Sequence, residues 1–299
     1  MILYYALGGG LGHVSRSLAI LERLPASLRH DCRLLVSSQS AGIAVPHAPC
    51  PVDRVPSAVM GRKEDYFAFF ASYLHAHRFT AMVVDTFPFG LLGELGGEAH
   101  DIPRVLIGRY LRWEAYAARF GQDARWPDAI VLLEEQEPAY RKELERRGRV
   151  TLLPGPVSLC GGFPSGPRQR CCVFHSGDAS EREILAQRAQ AVMAELGMPG
   201  LPDVIVPERG LFPVERHLAG YSDVVAGAGY AACAMAVLGK GELRFHLTPF
   251  PRRYDDQALR LQRLHAGLWG STGGDATGEA TAAIWTEVED LVSSTRFRS

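Results

Sequence analysis

The sequence predicts an α/β protein of two doubly wound domains, each with a parallel sheet covered by helices on both faces. Three observations lead to this prediction. Short apolar runs alternate with segments of helical periodicity, units of strand, glycine turn and helix occur in both halves, and a stretch rich in proline and glycine separates the halves. Strands buried on both faces of a parallel sheet appear in sequence as short continuous apolar runs between helices.

The composition is that of an ordinary globular protein. Of the 299 residues, 47% are hydrophobic and 22% are charged, and the net charge is -1. This balance gives no electrostatic indication of a nucleic-acid partner. The six cysteines include no CxxC pair and no spacing typical of a metal site or a disulfide framework. We therefore expect a protein of the reducing cytoplasm.

No apolar run approaches the roughly 20 residues that cross a bilayer. The apolar start at residues 2–6 is too short for the core of a signal peptide and runs directly into glycines. We interpret it as a buried first strand and expect membrane contact to be peripheral at most.

The first half alternates strands with helices. In the first helix, Val14, Leu18 and Leu21 fall at helical spacing, and Pro25 closes the segment. A further short strand at 52–55 is possible. If it forms, the strand at 81–84 is the fourth. The other predicted strands of this half are 2–6, 33–36, 104–107 and 129–133.

Proline and glycine accumulate at 154–156 and 161–167, where they preclude the interior of a helix or strand. We therefore place a first domain at 1–156, a linker at 157–169 and a second domain at 170–299. The second domain is predicted to contain strands at 171–174, 203–206, 223–226 and 243–247 and helices at 180–196, 230–238 and 255–264. After an exposed connection at 270–274, a last helix with Ile284, Val288 and Leu291 on one face is expected to pack back on the first domain.

The turn Gly8-Gly9-Gly10-Leu11-Gly12-His13 joins the first strand to the first helix. Backbone N–H groups at such a helix start stabilise a phosphate or a developing negative charge, so Gly10 and Gly12 are candidates for a phosphate or acceptor loop. The dinucleotide-binding fingerprint G-x-G-x-x-G does not fit, because its third glycine falls on His13 or Ser15. The P-loop motif does not fit either, because no Gly-Lys-Ser/Thr follows the glycines. A dinucleotide site and a P-loop are thus both unfavoured.

His13 opens the first helix, where the positive end of the helix dipole favours the neutral imidazole that accepts protons. Asp85 ends the fourth strand, and first and fourth strands are commonly neighbours in a doubly wound sheet. A carboxylate on one ring nitrogen would fix the tautomer of a general base. Each residue could instead merely cap a helix, but their expected adjacency favours a catalytic dyad. For Arg16, an anion-binding role and an ordinary solvated side chain both stay open.

Two glycine turns in the second half indicate a nucleotide site. After the strand at 171–174, the amides around Ser176 and Gly177 are candidates for holding a phosphate, although a capped helix start with Ser180 as N-cap explains the same residues. The second turn precedes the helix at 230–238. There are two alternatives to a binding role here. The glycines could be required only for tight helix packing, and Asp255 could be only an N-cap. The further donor-binding candidates are Gly227, Gly229, Tyr230, Asp255, Asp256 and Gln257.

Residues 10–19, Gly-Leu-Gly-His-Val-Ser-Arg-Ser-Leu-Ala, resemble the G-x-G-H-x-x-R-x-L-A opening of GT-B glycosyltransferases. The resemblance is to the branch of the peptidoglycan N-acetylglucosaminyltransferase and a set of predicted bacterial glycosyltransferases. Residues 227–239, followed by Pro249 and 256–257, resemble its donor-binding signature. Residues 83–87, Val-Val-Asp-Thr-Phe, match the V-V-D-x-F setting of the aspartate in relatives with a His-Asp dyad.

This resemblance implies two Rossmann-like domains facing each other across a cleft. The second domain would bind a nucleotide diphosphate-sugar donor, for which UDP is our guess, and the first a hydroxyl-bearing acceptor. His13 would be the general base of an inverting, metal-independent transfer that uses no cofactor, and Asp85 would orient it. One departure is Ala234, which stands where the family has a glutamate for the donor ribose. The alternatives are a nucleotide-sugar hydrolase of similar fold and a non-catalytic nucleotide-sugar or glycan-binding protein.

Aromatic residues concentrate at 66–73 and again, mixed with arginines, at 109–126. Contact with a lipid-linked acceptor is one interpretation of both segments. We favour core packing for the first segment and a cleft wall for the second.

Overall fold

The computed structural model describes residues 1–8, 10–96, 101–120, 125–153, 155–159, 163, 170–206, 210–269 and 275–296. The predicted connection at 270–274 and most of the predicted linker at 157–169 lie outside these residues. The domain boundaries given above therefore stay a prediction.

The first half forms a sheet of seven parallel strands in the order β3-β2-β1-β4-β5-β6-β7. Its strands are β1 (Ile2–Ala6), β2 (Cys32–Ser37), β3 (Val52–Val55), β4 (Ala81–Asp85), β5 (Arg104–Gly108), β6 (Ala129–Leu132) and β7 (Arg149–Leu152). Its helices are α1 (Leu11–Glu22), α2 (Ser38–Ala44), α3 (Lys63–His77), α4 (Trp113–Ala117) and α5 (Pro138–Arg147). Short 3₁₀ helices lie at Ala26–Asp31, Ser57–Gly61 and Glu94–Gly96.

The second half forms a sheet of four parallel strands in the order β11-β10-β8-β9. The strands are β8 (Arg170–Phe174), β9 (Asp203–Ile205), β10 (Tyr221–Gly227) and β11 (Arg244–Thr248). The helices are α6 (Ala179–Glu195), α7 (Tyr230–Leu238), α8 (Gln257–His265) and α9 (Ala276–Arg296), and a 3₁₀ helix lies at Val214–His217. The predicted α/β class with two parallel sheets is thus confirmed.

Strand β1 lies inside the first sheet, next to its central strand β4, and pairs in parallel with β2 on its other side. Its residues alternate between the two faces, so that Tyr4 joins the core cluster on one face and Tyr5 the cluster on the other. Helices α1 and α9 supply side chains to the first of these clusters, and α3 and α5 supply the second. Strands β2 and β3 extend the sheet on one side of β1, and strands β4 to β7 extend it on the other. The direction in which strands are added thus reverses between β1 and β4.

The short strand that the sequence left open exists as β3, so β4 is the fourth strand. Strand β7 was not predicted. Its four residues lie at the sheet edge, half-buried or exposed, and form a strand by pairing with β6 rather than through an apolar run of their own.

The last helix, α9, packs on the seven-stranded sheet, where it contacts β4, β5 and β6 as well as α1. Ile284 and Val288 are fully buried there. The indole Nε1 of Trp285 donates a hydrogen bond to the backbone oxygen of Ile20 at 3.2 Å. Among the described residues, no helix is long and apolar enough to span a membrane.

Candidate functional site

A cavity of about 600 Å³ lies between the carboxyl ends of the strands of both sheets. Its first wall comes from the turn after β1, the loop after β4 and the end of β5. Its second wall comes from the loops after β8, β10 and β11. Of the predicted site residues, the first wall contains Gly10, Gly12, His13 and Arg16, and the second contains Ser176, Gly177, Gly227, Gly229, Tyr230, Asp255 and Gln257.

His13 and Asp85 meet at the first wall, because β1 and β4 are neighbours and their carboxyl ends lie side by side. The ring nitrogen Nδ1 of His13 is hydrogen-bonded to Oδ2 of Asp85. The imidazole lies against the ring of Phe87, with 5.8 Å between centroids and 25° between planes. Asp85 itself is fully buried behind His13 and does not line the cavity. The structure therefore has the geometry in which a carboxylate fixes a histidine tautomer.

Arg16 is neither a solvated side chain nor a free anion ligand. It is 1% exposed, and its Nε and Nη2 atoms each donate a hydrogen bond of 2.7 Å to the carboxylate of Asp85. Its Nη2 also donates to the hydroxyl of Thr86 at 3.0 Å. The solvated interpretation is wrong because α1 turns the residue inward, one helical turn after His13. The guanidinium binds the carboxylate of Asp85, and the side chain also forms part of the cavity lining.

The charges of this cluster follow from burial and pairing. Burial lowers the pKa of His13, and the nearby Arg109 and Arg16 add to this effect, while Asp85 opposes it. Burial alone would raise the pKa of Asp85, but Arg16 and His13 outweigh it and hold that pKa well below the ordinary carboxyl range. At neutral pH the aspartate is therefore ionised and the imidazole is neutral.

Gly8 and Gly10 are required for different reasons. Gly10 has φ +94°, a conformation that side-chain-bearing residues rarely adopt. At Gly8 a Cβ atom would lie 2.2 Å from Nε2 of His13 and within 2.6 Å of two further ring atoms. The first glycine of the turn, Gly8, thus leaves the space that the imidazole occupies.

Gly8→Ala is expected to displace the His13 ring and to cost about 1 to 3 kcal/mol of stability, because Asp85 prevents the ring from moving aside and the site becomes overpacked. Urea unfolding measures this cost. Gly42→Ala is the matched control, since a Cβ there meets nothing within 4 Å. Equal stability in both variants would contradict the prediction.

The second wall contains a cluster of three ionisable side chains that the sequence analysis did not predict. The ring nitrogen Nε2 of His175 lies 2.6 Å from Oε2 of Glu181, and Nη2 of Arg252 donates to the same oxygen at 2.6 Å. His175 follows β8 as His13 follows the β1 turn, a parallel that could have identified it. Glu181 and Arg252 lie 71 positions apart and carry no local signal.

Helix α6 is capped by Asp178, whose Oδ1 accepts from the N–H of Glu181 at 2.9 Å. The proposed N-cap at Ser180 is therefore wrong, and the helix begins one residue earlier than predicted. Gly177 precedes the cap, and a Cβ there would collide with the His175 ring and Glu181.

Glycines 227 and 229 differ in what constrains them. A Cβ at Gly227 would lie 2.9 Å from the His175 ring, so close packing requires glycine there. At Gly229, the first residue before α7, the nearest atom to a Cβ would be 3.9 Å away, so packing does not demand glycine. Tyr230 donates from its hydroxyl to the oxygen of Gly155 at 3.0 Å.

Asp255 connects the two walls. It lies 3.1 Å from Nη1 of Arg109 in the first wall and accepts bonds of 2.6 and 2.9 Å from the buried Arg260. Arg260 also donates to Glu134, at the end of the first sheet, at 2.6 and 3.0 Å. Asp255 is therefore not an N-cap but a bridge between cations of both halves.

Asp256 does not line the cavity, contrary to the prediction. Its Oδ1 accepts from the N–H of Leu259 at 2.9 Å, which makes it the N-cap of α8. Gln257 lines the cavity, and its Oε1 accepts from the N–H of Phe250 at 2.9 Å. Of the three consecutive residues that the sequence analysis predicted to bind the donor, Asp255 and Gln257 line the cavity and Asp256 caps a helix.

Ala234 lies fully buried inside the core and is absent from the cavity lining. The described part of the chain contains no group of three or more His, Cys, Asp or Glu residues that could hold a metal ion.

The two aromatic segments have different surroundings. Tyr66 and Phe70 of α3 are buried in the core of the first sheet. Tyr116 stacks on Phe87 of the first wall, with 5.5 Å between centroids, and Phe89 stacks on Tyr116. The second segment therefore backs the cavity wall.

No protein-family model matches the sequence, and no curated protein matches it significantly. Solved structures match its whole length. A glycosyltransferase from Streptomyces sp. SF2575 is 13% identical, covering 99% of this chain and 98% of its own, with a TM-score of 0.57. A UDP-N-acetylglucosamine 2-epimerase from Rickettsia bellii is 8% identical, covering 99% and 97%, with a TM-score of 0.55. The kitacinnamycin glycotransferase is 13% identical, covering 99% and 97%, with a TM-score of 0.53. The chain therefore has the GT-B fold, with its cavity at the carboxyl ends of both parallel sheets.

Proposed function

We propose that this protein transfers a sugar from a nucleotide diphosphate donor to a hydroxyl acceptor, with His13 as the general base. The observation that carries the proposal is the buried Asp85, held ionised by Arg16 and bonded to Nδ1 of His13, whose side chain lines a cavity between two sheets. Neutral histidine and ionised aspartate are the forms that such a base requires.

In the proposed reaction, Nε2 of His13 takes the proton from the acceptor hydroxyl while that oxygen attacks the anomeric carbon. The bond from this carbon to the diphosphate oxygen breaks, and the nucleotide diphosphate leaves. Asp85 keeps the other ring nitrogen protonated and stabilises the imidazolium that forms. A single displacement of this kind inverts the anomeric configuration.

The second wall is suited to the donor. Helices α6 and α7 begin there, at Ala179 and Tyr230, and their first N–H groups favour a diphosphate that gains negative charge as it leaves. Arg252 and Arg253 add positive charge to the same lining. A structure of the Streptomyces glycosyltransferase contains thymidine diphosphate, so thymidine joins uridine as a candidate donor nucleoside. Because Ala234 lies away from the cavity, other groups must bind the ribose.

A panel of UDP- and TDP-sugars tests the proposal. We expect nucleotide diphosphate to be released rapidly only when a hydroxyl acceptor is present, and the product to be a glycoside of inverted configuration. Release at the same rate without any acceptor would identify a hydrolase in which His13 activates water. Binding of the nucleotides without release under any condition would leave a non-catalytic binding protein.

A further inference from the structure

We propose that the acceptor of this transfer is an apolar, ring-bearing alcohol or phenol rather than a sugar. This inference rests on the proposed function and concerns the part of the same cavity that lies beside His13. Its basis is an apolar patch formed by Phe87, Leu91 and Tyr254, together with a first wall whose described residues contribute no carboxylate or amide to the cavity lining.

The apolar patch begins at the base itself. The ring of Phe87 lies against the His13 imidazole, and the ring of Tyr254 meets Phe87 edge to face, with 5.9 Å between centroids. Leu91 lines the cavity from the same loop as Phe87. Leu91 and Tyr254 are both half-buried and so retain surface that a ligand can cover. A hydroxyl presented to His13 therefore brings the body of its molecule against apolar side chains.

The patch is held in place before any ligand binds. A single side chain, Arg119, donates from Nη1 to the hydroxyl of Tyr254 at 2.6 Å and to the oxygen of Leu91 at 3.2 Å. The N–H of Arg112 donates to the oxygen of Tyr254 at 3.0 Å. Tyr116 stacks behind Phe87. An apolar ligand thus meets a preformed surface, which reduces the cost of ordering side chains on binding.

A sugar acceptor would need polar partners for its several hydroxyls, and carboxylates and amides are the side chains suited to this purpose. Among the described residues, the first wall contributes no carboxylate or amide to the cavity lining, and its one side-chain hydroxyl there is that of Ser15. Its arginines are engaged, since Arg16 bonds to Asp85 and Arg109 lies 3.1 Å from Asp255.

In the described part of the chain, the acidic and amide groups of the lining belong to the second wall, where each has a partner. Asp178 caps α6, Glu181 is paired with Arg252, Asp255 with Arg260, and Gln257 with the N–H of Phe250. A sugar placed beside His13 would therefore leave hydroxyls against apolar surface, whereas an apolar ring would cover it.

Equilibrium binding to the full chain tests the inference without requiring turnover. Isothermal titration with 2-naphthol is compared with titration with methyl β-D-glucopyranoside, each in the presence of excess uridine diphosphate and, separately, thymidine diphosphate. We expect 2-naphthol to bind and the glucoside not to bind. Leu91→Asn should weaken 2-naphthol binding about tenfold, because a polar group of similar size replaces apolar contact surface.

Leu201→Asn is the matched control, since Leu201 is 78% exposed and lies outside the cavity; it should leave 2-naphthol affinity unchanged. Binding of the glucoside in preference to 2-naphthol, or equal 2-naphthol affinity in wild type and Leu91→Asn, would overturn the inference. Failure of the proposed function looks different: 2-naphthol would bind in the manner described, and yet no nucleotide sugar would react with it.

Discussion

Replacing His13 with alanine is expected to reduce the proposed sugar transfer by about 100-fold to 10,000-fold, the usual contribution of a general base. The affinity for nucleotide diphosphate should change little, because the loops proposed to bind the donor belong to the second wall. Asp85 keeps both of its bonds from Arg16 in this variant, so the fold should persist. Steady-state kinetics with an active donor and titration with its nucleotide diphosphate measure the two quantities.

His77→Ala is a suitable control, because His77 ends α3 ahead of β4 and lies outside the cavity lining. It should retain wild-type turnover. If His13→Ala transferred sugar at the wild-type rate, the dyad mechanism would be excluded even though the fold assignment would stand.

Asp85→Asn should impair both stability and turnover. The asparagine leaves the buried Arg16 guanidinium without a negative partner, and breaking a buried pair in this way costs about 3 to 5 kcal/mol. It also removes the charge that stabilises the imidazolium, so turnover should fall by about 1,000-fold or more. Urea unfolding at neutral pH and kinetics at a temperature where the variant is folded measure the two effects separately.

Two further variants separate the causes. Asp53→Asn removes a partly exposed carboxylate that pairs with Arg33 elsewhere in the first sheet, and it should cost only about 1 kcal/mol. Adding Arg16→Met to Asp85→Asn removes the unpaired cation and should restore much of the stability without restoring turnover. Recovery of turnover in the double variant would show that Asp85 acts only through folding.

The pH dependence of stability has a definite sign. Because the folded protein lowers the pKa of Asp85 below its unfolded value, the stabilisation is complete above the ordinary carboxyl range. It is lost as the pH falls through the lower folded value. Asp85→Asn should therefore lower the stability at neutral pH. It should also reduce the amount of stability that is lost when the pH falls.

The fold could be predicted because its determinants are local. Continuous apolar runs mark the buried strands, and glycine turns mark where helices start. The meeting of His13 with Asp85 followed from one topological rule, the adjacency of β1 and β4, which placed two strand-end residues side by side. A strand such as β7, defined by pairing at a sheet edge, has no comparable local signal.

The remaining parts of the site depend on side chains that meet across the two halves. Arg260 and Glu134 are 126 positions apart, and no spacing rule relates them. The same is true of Tyr254, which belongs to the second half but packs against Phe87 of the first. The inward direction of Arg16 was also unpredictable, since helical periodicity gives its position on α1 but not its partner.

Helix α9 adds a consequence for the order in which the protein is made. The seven-stranded sheet comes from the first half of the chain, yet the helix that covers β4, β5 and β6 on one face comes from residues 276–296. A ribosome therefore releases the whole sheet, and all of the second one, before this cover exists. The part of the molecule synthesised first is completed last, and until then its apolar face depends on other protection from aggregation.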